Sequence, residues 1–234
     1  MEIELVTQKV TFLDTEEYWE YCRKWIAYAT RVAYRSENMG KTAEEKRIRD
    51  DNLFKRLLHV DDKEHPQHTS TFEHKSFGVE IITNRAIANE IVRHRHTAFT
   101  QESTRYVNMN KRGATFLMPD GMTTEQMEVV RESYEHSYAS YLKLLELGAI
   151  PQQARDVLPH GLATVLVMST NPTQWRNIFK LRCDAGAHPM VRKIMFTILS
   201  EFNRHLPMVF GDLYEKFSKE NTLGLCDFDY KSIG

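Results

Sequence analysis

Between Phe77 and Thr83 the apolar residues Phe77, Val79 and Ile81 fall at every second position, and the run leads straight into a helical pattern from Arg85 to about Arg95. Period-two alternation describes a strand with one buried face, which needs neighbouring strands and a covering layer. Residues 2–12 alternate in the same way and predict another strand, and Leu162–Met168 reads as a buried strand or a helix start. Helical signals outnumber these. Asp14, Thr15 and Glu17 open an aromatic-rich helix to about Arg35, and residues 36–42 break it. A second helix spans Ala43 to about Val60, followed by a polar loop over Asp61–Ser70. Thr124–Leu147 predicts a long helix ended by Gly148, and Pro151 starts a short one that stops before Pro159. Asn171 and Pro172 supply a cap and a first-turn proline for a helix through Arg182, and Val191, Ile194, Ile198 and Phe202 mark the buried stripe of the next. The mixture predicts an α+β fold, with no repeat and no flexible linker.

Charge and cysteine content narrow the function. Lys and Arg total 31 against 32 Asp and Glu, so no global field draws the chain to nucleic acid or an anionic membrane, and any anion site must be local. Cys22, Cys183 and Cys226 are widely spaced, with no metal-type pairing, which fits a reducing cytoplasm. No apolar run is long enough to span a membrane, and Met1–Val10 lacks the basic start and apolar core of a signal peptide.

The densest concentration of chemistry is Arg93-His94-Arg95-His96 followed by Gln101-Glu102-Ser103-Thr104-Arg105-Tyr106. The first part alone is satisfied by a solvated basic helix end. Ser103–Val107 reads as extended, which would put Gln101, Ser103 and Arg105 on one face and present an amide, a hydroxyl and a guanidinium to a phosphate. Trp175, Ile178, Phe179 and Arg182 fall on one helical stripe, with Arg182 where an apolar residue belongs. That guanidinium must snorkel, pair with a carboxylate such as Asp184, or meet a bound anion. Arg155, in Gln153-Ala154-Arg155-Asp156, could pair with a neighbouring carboxylate or reach a ligand. Tyr134, Tyr138 and Tyr141 in the long helix suit either an interface or a core. Cys183, beside Arg182, reads as an inert core residue rather than a nucleophile.

These pieces together resemble the flavin-dependent thymidylate synthase family. Its Arg-His-Arg, seven residues, Ser signature stands here as Arg93–Arg95 and Ser103. In the family's order lie Thr71-Phe72-Glu73-His74, Ser103-x-Arg105-Tyr106, Gln153-Ala154-Arg155 with Leu158-Pro159, then Asn171, Asn177 and Leu181-Arg182. The resemblance implies helices packed on a mainly antiparallel sheet and one catalytic domain over residues 1–234. It implies reductive methylation of deoxyuridylate (dUMP) to thymidylate (dTMP), with FAD as cofactor and methylenetetrahydrofolate and NADPH as co-substrates. His74, Ser76, Arg93, His94, Arg95, Gln101, Asn171 and Asn177 would contact FAD. Glu90, Arg93, Gln101, Glu102, Ser103, Thr104, Arg105, Arg155 and Arg182 would hold dUMP. Arg182 would be the catalytic group that stabilises charge developing on the uracil. No metal is implied. The partners implied are dUMP, folate and further copies of the chain in a homotetramer with shared sites, and neither nucleic acid nor membrane. Many members carry Gln where this chain has Glu90, Ser for Ala98, Asn-Glu for Thr100-Gln101, and Arg for Thr173.

Two other classes compete. His59, His65, His68, His74, His94 and His96 suggest a metal-dependent hydrolase, but no His-Glu-x-x-His helix is present. Arg93, Arg95, Lys111 and Arg112 near Tyr106 suggest a nucleic-acid binding module, against which the balanced charge argues.

Overall fold

The structure, a computed structural model, describes residues 3–58 and 67–231. In chain order the elements are β1 (Glu4–Val6), β2 (Lys9–Phe12), α1 (Glu16–Ala33), α2 (Ala43–Leu57), β3 (Phe77–Asn84), α3 (Arg85–Ile91), β4 (Ala98–Gln101) and α4 (Met109–Arg112). There follow β5 (Thr115–Leu117), α5 (Thr124–Glu146), α6 (Pro151–Ala154), β6 (Ala163–Thr170), α7 (Pro172–Arg182), α8 (Pro189–His205), α9 (Pro207–Glu220) and β7 (Asp227–Tyr230). Ser70–His74 and Arg155–Val157 form single 3-10 turns.

The main sheet runs β4-β6-β3-β2-β7, antiparallel throughout except for the parallel β2–β7 pair. The expected α+β class and mainly antiparallel sheet are therefore observed. β3 is the strand its alternation predicts, with Phe77, Val79 and Ile81 all fully buried. Phe77 stacks on Trp19 of α1 at 3.8 Å, and Trp175, Phe179, Phe202 and Phe210 extend the aromatic layer through α7, α8 and α9. Leu162–Met168 resolves as strand, since β6 pairs with both β3 and β4.

Helix starts follow their caps. Thr15, Thr42, Thr123 and Asn171 each accept a backbone N–H from the first turn, and Thr42–Glu45 and Thr123–Gln126 close reciprocal capping boxes. Tyr134, Tyr138 and Tyr141 are buried in a second apolar cluster with Phe116, Ile3 and Leu162. Their hydroxyls reach Leu117 O, Met109 O and Met109 N, so they build a core within the chain.

Three expectations need correction. The single strand over residues 2–12 is two strands in different sheets: β1 pairs in parallel with β5, and β2 joins β3 and β7. Its alternation is real, but the partner of its first half lies over a hundred residues downstream. The extended segment Ser103–Val107 is instead a turn, closed by Tyr106 N and Val107 N donating to Ser103 O. Helix α3 ends at Ile91 rather than near Arg95. The predicted loop over Asp61–Ser70, with His65, falls largely outside the described residues, as does His59.

Candidate active site

Strand register decides which of the chemistry-bearing residues meet. β3 begins at Phe77 opposite Thr170, the last residue of β6, and β4 begins at Ala98 opposite Ser169. One end of the sheet therefore gathers His74 and Ser76 before β3, the Arg93–Thr97 loop before β4, and Asn171 after β6. Tyr18 Oη donates to Ser76 O at 3.0 Å, Trp175 Nε1 to Phe77 O at 3.1 Å and Thr173 Oγ1 to Thr69 O at 2.9 Å, which docks α7 against this end. In the loop His96 takes a positive φ of 58°, uncommon outside glycine, and its carbonyl accepts from Thr170 Oγ1 at 2.7 Å. That clamp turns the chain from α3 into β4.

Arg182, at the last turn of α7, reaches the last turn of α3. Its Nε donates to His94 Nε2 at 2.9 Å, its Nη1 to Glu90 Oε2 at 3.4 Å and its Nη2 to the Glu90 carbonyl at 3.1 Å. Of the alternatives open for this guanidinium, the carboxylate partner is Glu90; Asp184 instead accepts from Gly186 N. Two helix C-termini carry partial negative charge, and a cation between them is favourably placed. Burial pushes the His94 imidazole down, and the adjacent Arg182 charge pushes it further, to about 4. His94 is thus neutral at pH 7, and because Nε2 accepts from Arg182 the ring proton belongs on Nδ1.

His94 carries a pH consequence. Its folded-state value lies below the ordinary 6.5, so folding excludes a proton that the unfolded chain takes up. The contribution is absent above about pH 6.5 and becomes a growing penalty as pH falls toward about 4. An NMR titration of the His94 ring is expected to give that low value, and Arg182→Ala is expected to raise it. A ring titrating near 6.5 in the wild-type protein would mean that neither the burial of His94 nor its contact with Arg182 persists in solution.

The remaining predicted residues form a second group. Gln101 ends β4 with its Nε2 donating to Thr164 Oγ1 at 3.3 Å, and Glu102 N bonds Val165 O at 2.9 Å. Arg155 Nη1 donates to Thr104 Oγ1 at 3.2 Å, and Ser103 Oγ accepts from Arg105 N. The turn replaces the shared face expected for Gln101, Ser103 and Arg105, and holds Ser103 by its own backbone contacts. This group lies at the opposite end of β4 from the His94 loop, about 10 Å away at strand rise. One chain therefore brings Glu90, His94 and Arg182 into contact, and separately Gln101, Thr104 and Arg155, without joining the two.

Arg93 and Arg95 are exposed and have no ion pair or side-chain hydrogen bond among the described residues. Arg105 is exposed, with its guanidinium carbon 5.5 Å from the centre of the Tyr106 ring. Asn171 Oδ1 is used to cap α7, accepting Gln174 N at 2.8 Å, which leaves its amide NH2 for a ring edge. Asn177 is exposed and meets Gln174 at 3.5 Å. Cys183 is buried, and burial pushes its thiol up to about 12, so it is no thiolate nucleophile at neutral pH. Among the described residues no group of three His, Cys, Asp or Glu could hold a metal ion, and no helix is long and apolar enough to cross a membrane.

The sequence did not point to two clefts of about 560 and 530 Å³ beside α1 and α2, one lined by Tyr28, Arg35 and Asp50 and the other by Tyr34, Arg49, Arg56 and His68. The signal that could have found the second is Arg49 and Arg56, seven positions apart and so on one face of α2.

Residues 16–208 match the family model described as "Thymidylate synthase complementing protein". Among curated relatives, a flavin-dependent thymidylate synthase of Sulfolobus acidocaldarius is 32% identical over 168 residues, 68% of this chain and 64% of the relative. One of Sulfurisphaera tokodaii is 31% identical over 143 residues, 60% of this chain and 55% of the relative. One of Geobacter sulfurreducens is 30% identical over 191 residues, 80% of each. The chain thus spans less than two thirds of the length of the two archaeal relatives.

Proposed function

The chain belongs to the thymidylate synthase complementing protein family, and from that premise we propose that it methylates dUMP to dTMP, with methylenetetrahydrofolate as one-carbon donor, NADPH as reductant and FAD as cofactor. The observation that carries the reading is the contact of Arg182 with His94 inside the Arg-His-Arg loop, across 88 positions of sequence. It links the motif to a guanidinium that falls on an apolar helical stripe.

The donor set fits a flavin dinucleotide. Arg93 and Arg95 are exposed cations suited to a pyrophosphate, and His74, Ser76 and the Asn171 amide stand at the same sheet end. Bound there, the flavin would supply the reducing equivalent for the methylation. The chain's own groups bind, orient and polarise. Arg182 donates to the uracil carbonyl edge and stabilises negative charge there, making C6 more receptive to addition. Neutral His94 holds the Arg182 Nε and offers Nδ1–H as a further donor. Ser103, Thr104, Arg105 and Arg155, with Gln101 and Glu102, hold the nucleotide phosphate and sugar.

The same geometry supports a reading of the assembly. The two residue groups of one chain lie apart and Arg93, Arg95 and Arg105 are exposed, which supports completion of each site by neighbouring copies, and we propose a homotetramer on the family resemblance. It acts as one catalytic domain in the cytoplasm, with no metal, nucleic acid or membrane partner. The test is FAD titration of the purified chain followed by NADPH oxidation with and without dUMP. Flavin binding with dUMP-dependent oxidation is the expected result; absence of both defeats the proposal.

A further inference from the structure

Helix α1 ends on a residue in an unfavourable backbone conformation. Arg35 takes φ 45°, the left-handed region that glycine enters freely and a side chain enters at a penalty. It occupies the position just past the helix where glycine is the usual choice: Arg35 N donates to Val32 O at 3.2 Å and Ser36 N to Arg31 O at 3.0 Å, closing the helix end on itself. The end carbonyls are thereby engaged, so the helix dipole alone does not call for an arginine here. Backbone conformations of this kind cluster at ligand clamps. Yet the Arg35 side chain is exposed, with no ion pair or hydrogen bond among the described residues.

That side chain lines the cleft of about 560 Å³ beside α1, a volume in the range of small-molecule sites. Lys24, Tyr28, Arg31 and Arg35 recur at helical spacing, so they fall along one stripe of the helix and its end. The stripe is braced from behind. The Asp50 side chain, 8% exposed, accepts from Arg31 Nη2 at 2.5 Å, Asn38 Nδ2 at 2.9 Å and Arg23 Nη1 at 3.4 Å. The Arg31 guanidinium is thus fixed, while its Nε and Nη1 have no partner among the described residues. Tyr28, Ala27 and Val32 add apolar surface, and the Tyr28 side chain is well exposed. Guanidinium groups match phosphate oxygens, and an aromatic ring stacks on any nucleobase. Glu37, also lining the cleft, can accept a sugar hydroxyl. We propose that this cleft binds a nucleoside polyphosphate, with the phosphates on Lys24, Arg31 and Arg35 and the base against Tyr28. None of these residues belongs to the Glu90, His94 and Arg182 group or to the Gln101, Thr104 and Arg155 group, so the site stands whether or not the chain methylates dUMP.

Calorimetric titration with ATP and with inorganic triphosphate, in saturating FAD, tests the site. Wild type is expected to bind one ATP per chain. In Arg35→Gly, relief of the backbone and greater freedom of the unfolded chain oppose each other, so the melting temperature should change little. ATP should nevertheless bind at least about tenfold more weakly, the usual cost of losing a charge-assisted hydrogen bond. Tyr28→Ala should weaken ATP by about tenfold and leave inorganic triphosphate unchanged. ATP bound equally by wild type and Arg35→Gly, or not bound by wild type, overturns the proposal. So does displacement of ATP by dUMP, which would place ATP in the dUMP site. Triphosphate and ATP bound equally well, both unaffected by Tyr28→Ala, would overturn the assignment of a nucleoside.

Discussion

Replacing Arg182 by Ala is expected to lower the turnover of dUMP by about 100- to 1,000-fold, the usual cost of removing a fixed donor aimed at developing charge. Flavin should stay bound, because the Arg93, Arg95 and His74 groups do not depend on the Arg182 side chain for any hydrogen bond. The size of the effect follows from preorganisation. All three nitrogens of the guanidinium are engaged, by His94, the Glu90 carboxylate and the Glu90 carbonyl, so its direction is set before substrate arrives. Arg182→Lys keeps the charge but loses the planar fork, and should recover only a small part of the rate. Steady-state assays with flavin content measured in parallel would check this; turnover within about threefold of wild type would remove Arg182 from the chemistry.

The largest expected loss of stability comes from a residue outside the site. Arg176 is 2% exposed within α7, and its Nη1 and Nη2 donate to the two oxygens of Asp212 on α9 at 2.6 and 2.7 Å, with Nη1 also meeting Val209 O. Asp212→Ala leaves that guanidinium buried without its counter-charge, which costs on the order of 3 kcal/mol. The lower end of the range applies because the Asp212 side chain is itself 28% exposed. For a chain of this size the melting temperature should fall by roughly 6–12 °C. Burial pushes the Asp212 carboxyl up, but the hydrogen bonds and charge of Arg176 outweigh it and leave it below its ordinary 3.8. Its contribution is therefore present above about pH 3.8 and lost as pH falls below that value, so the gap between the two proteins should close in acid. Equal melting temperatures at pH 7 would mean that water replaces the carboxylate.

What the sequence made legible was local. Asn171 and Pro172 marked the start of α7, Phe77, Val79 and Ile81 the buried face of β3, and Gly148 the end of α5; each depends on residues within a turn or two. What escaped was set at long range. The turn at Ser103–Val107 contains neither Gly nor Pro to announce it, and Arg155 braces it from 51 positions away through Thr104. The strand over residues 2–12 broke in two because β1 is claimed by β5, which no local pattern reveals. Arg182 was conspicuous as a charge in an apolar stripe, yet its carboxylate partner stood 92 positions upstream, not at neighbouring Asp184. Arg176 escaped for the opposite reason: a buried Arg on a helix looks, in sequence, like any exposed one.

The most direct measurement of the central claim is product analysis with the purified chain, FAD, dUMP, methylenetetrahydrofolate and NADPH. One dTMP and one tetrahydrofolate should form for each NADPH consumed, with no dTMP when dUMP or the folate is omitted. FAD-loaded protein that consumes NADPH and leaves dUMP unmethylated would contradict the account.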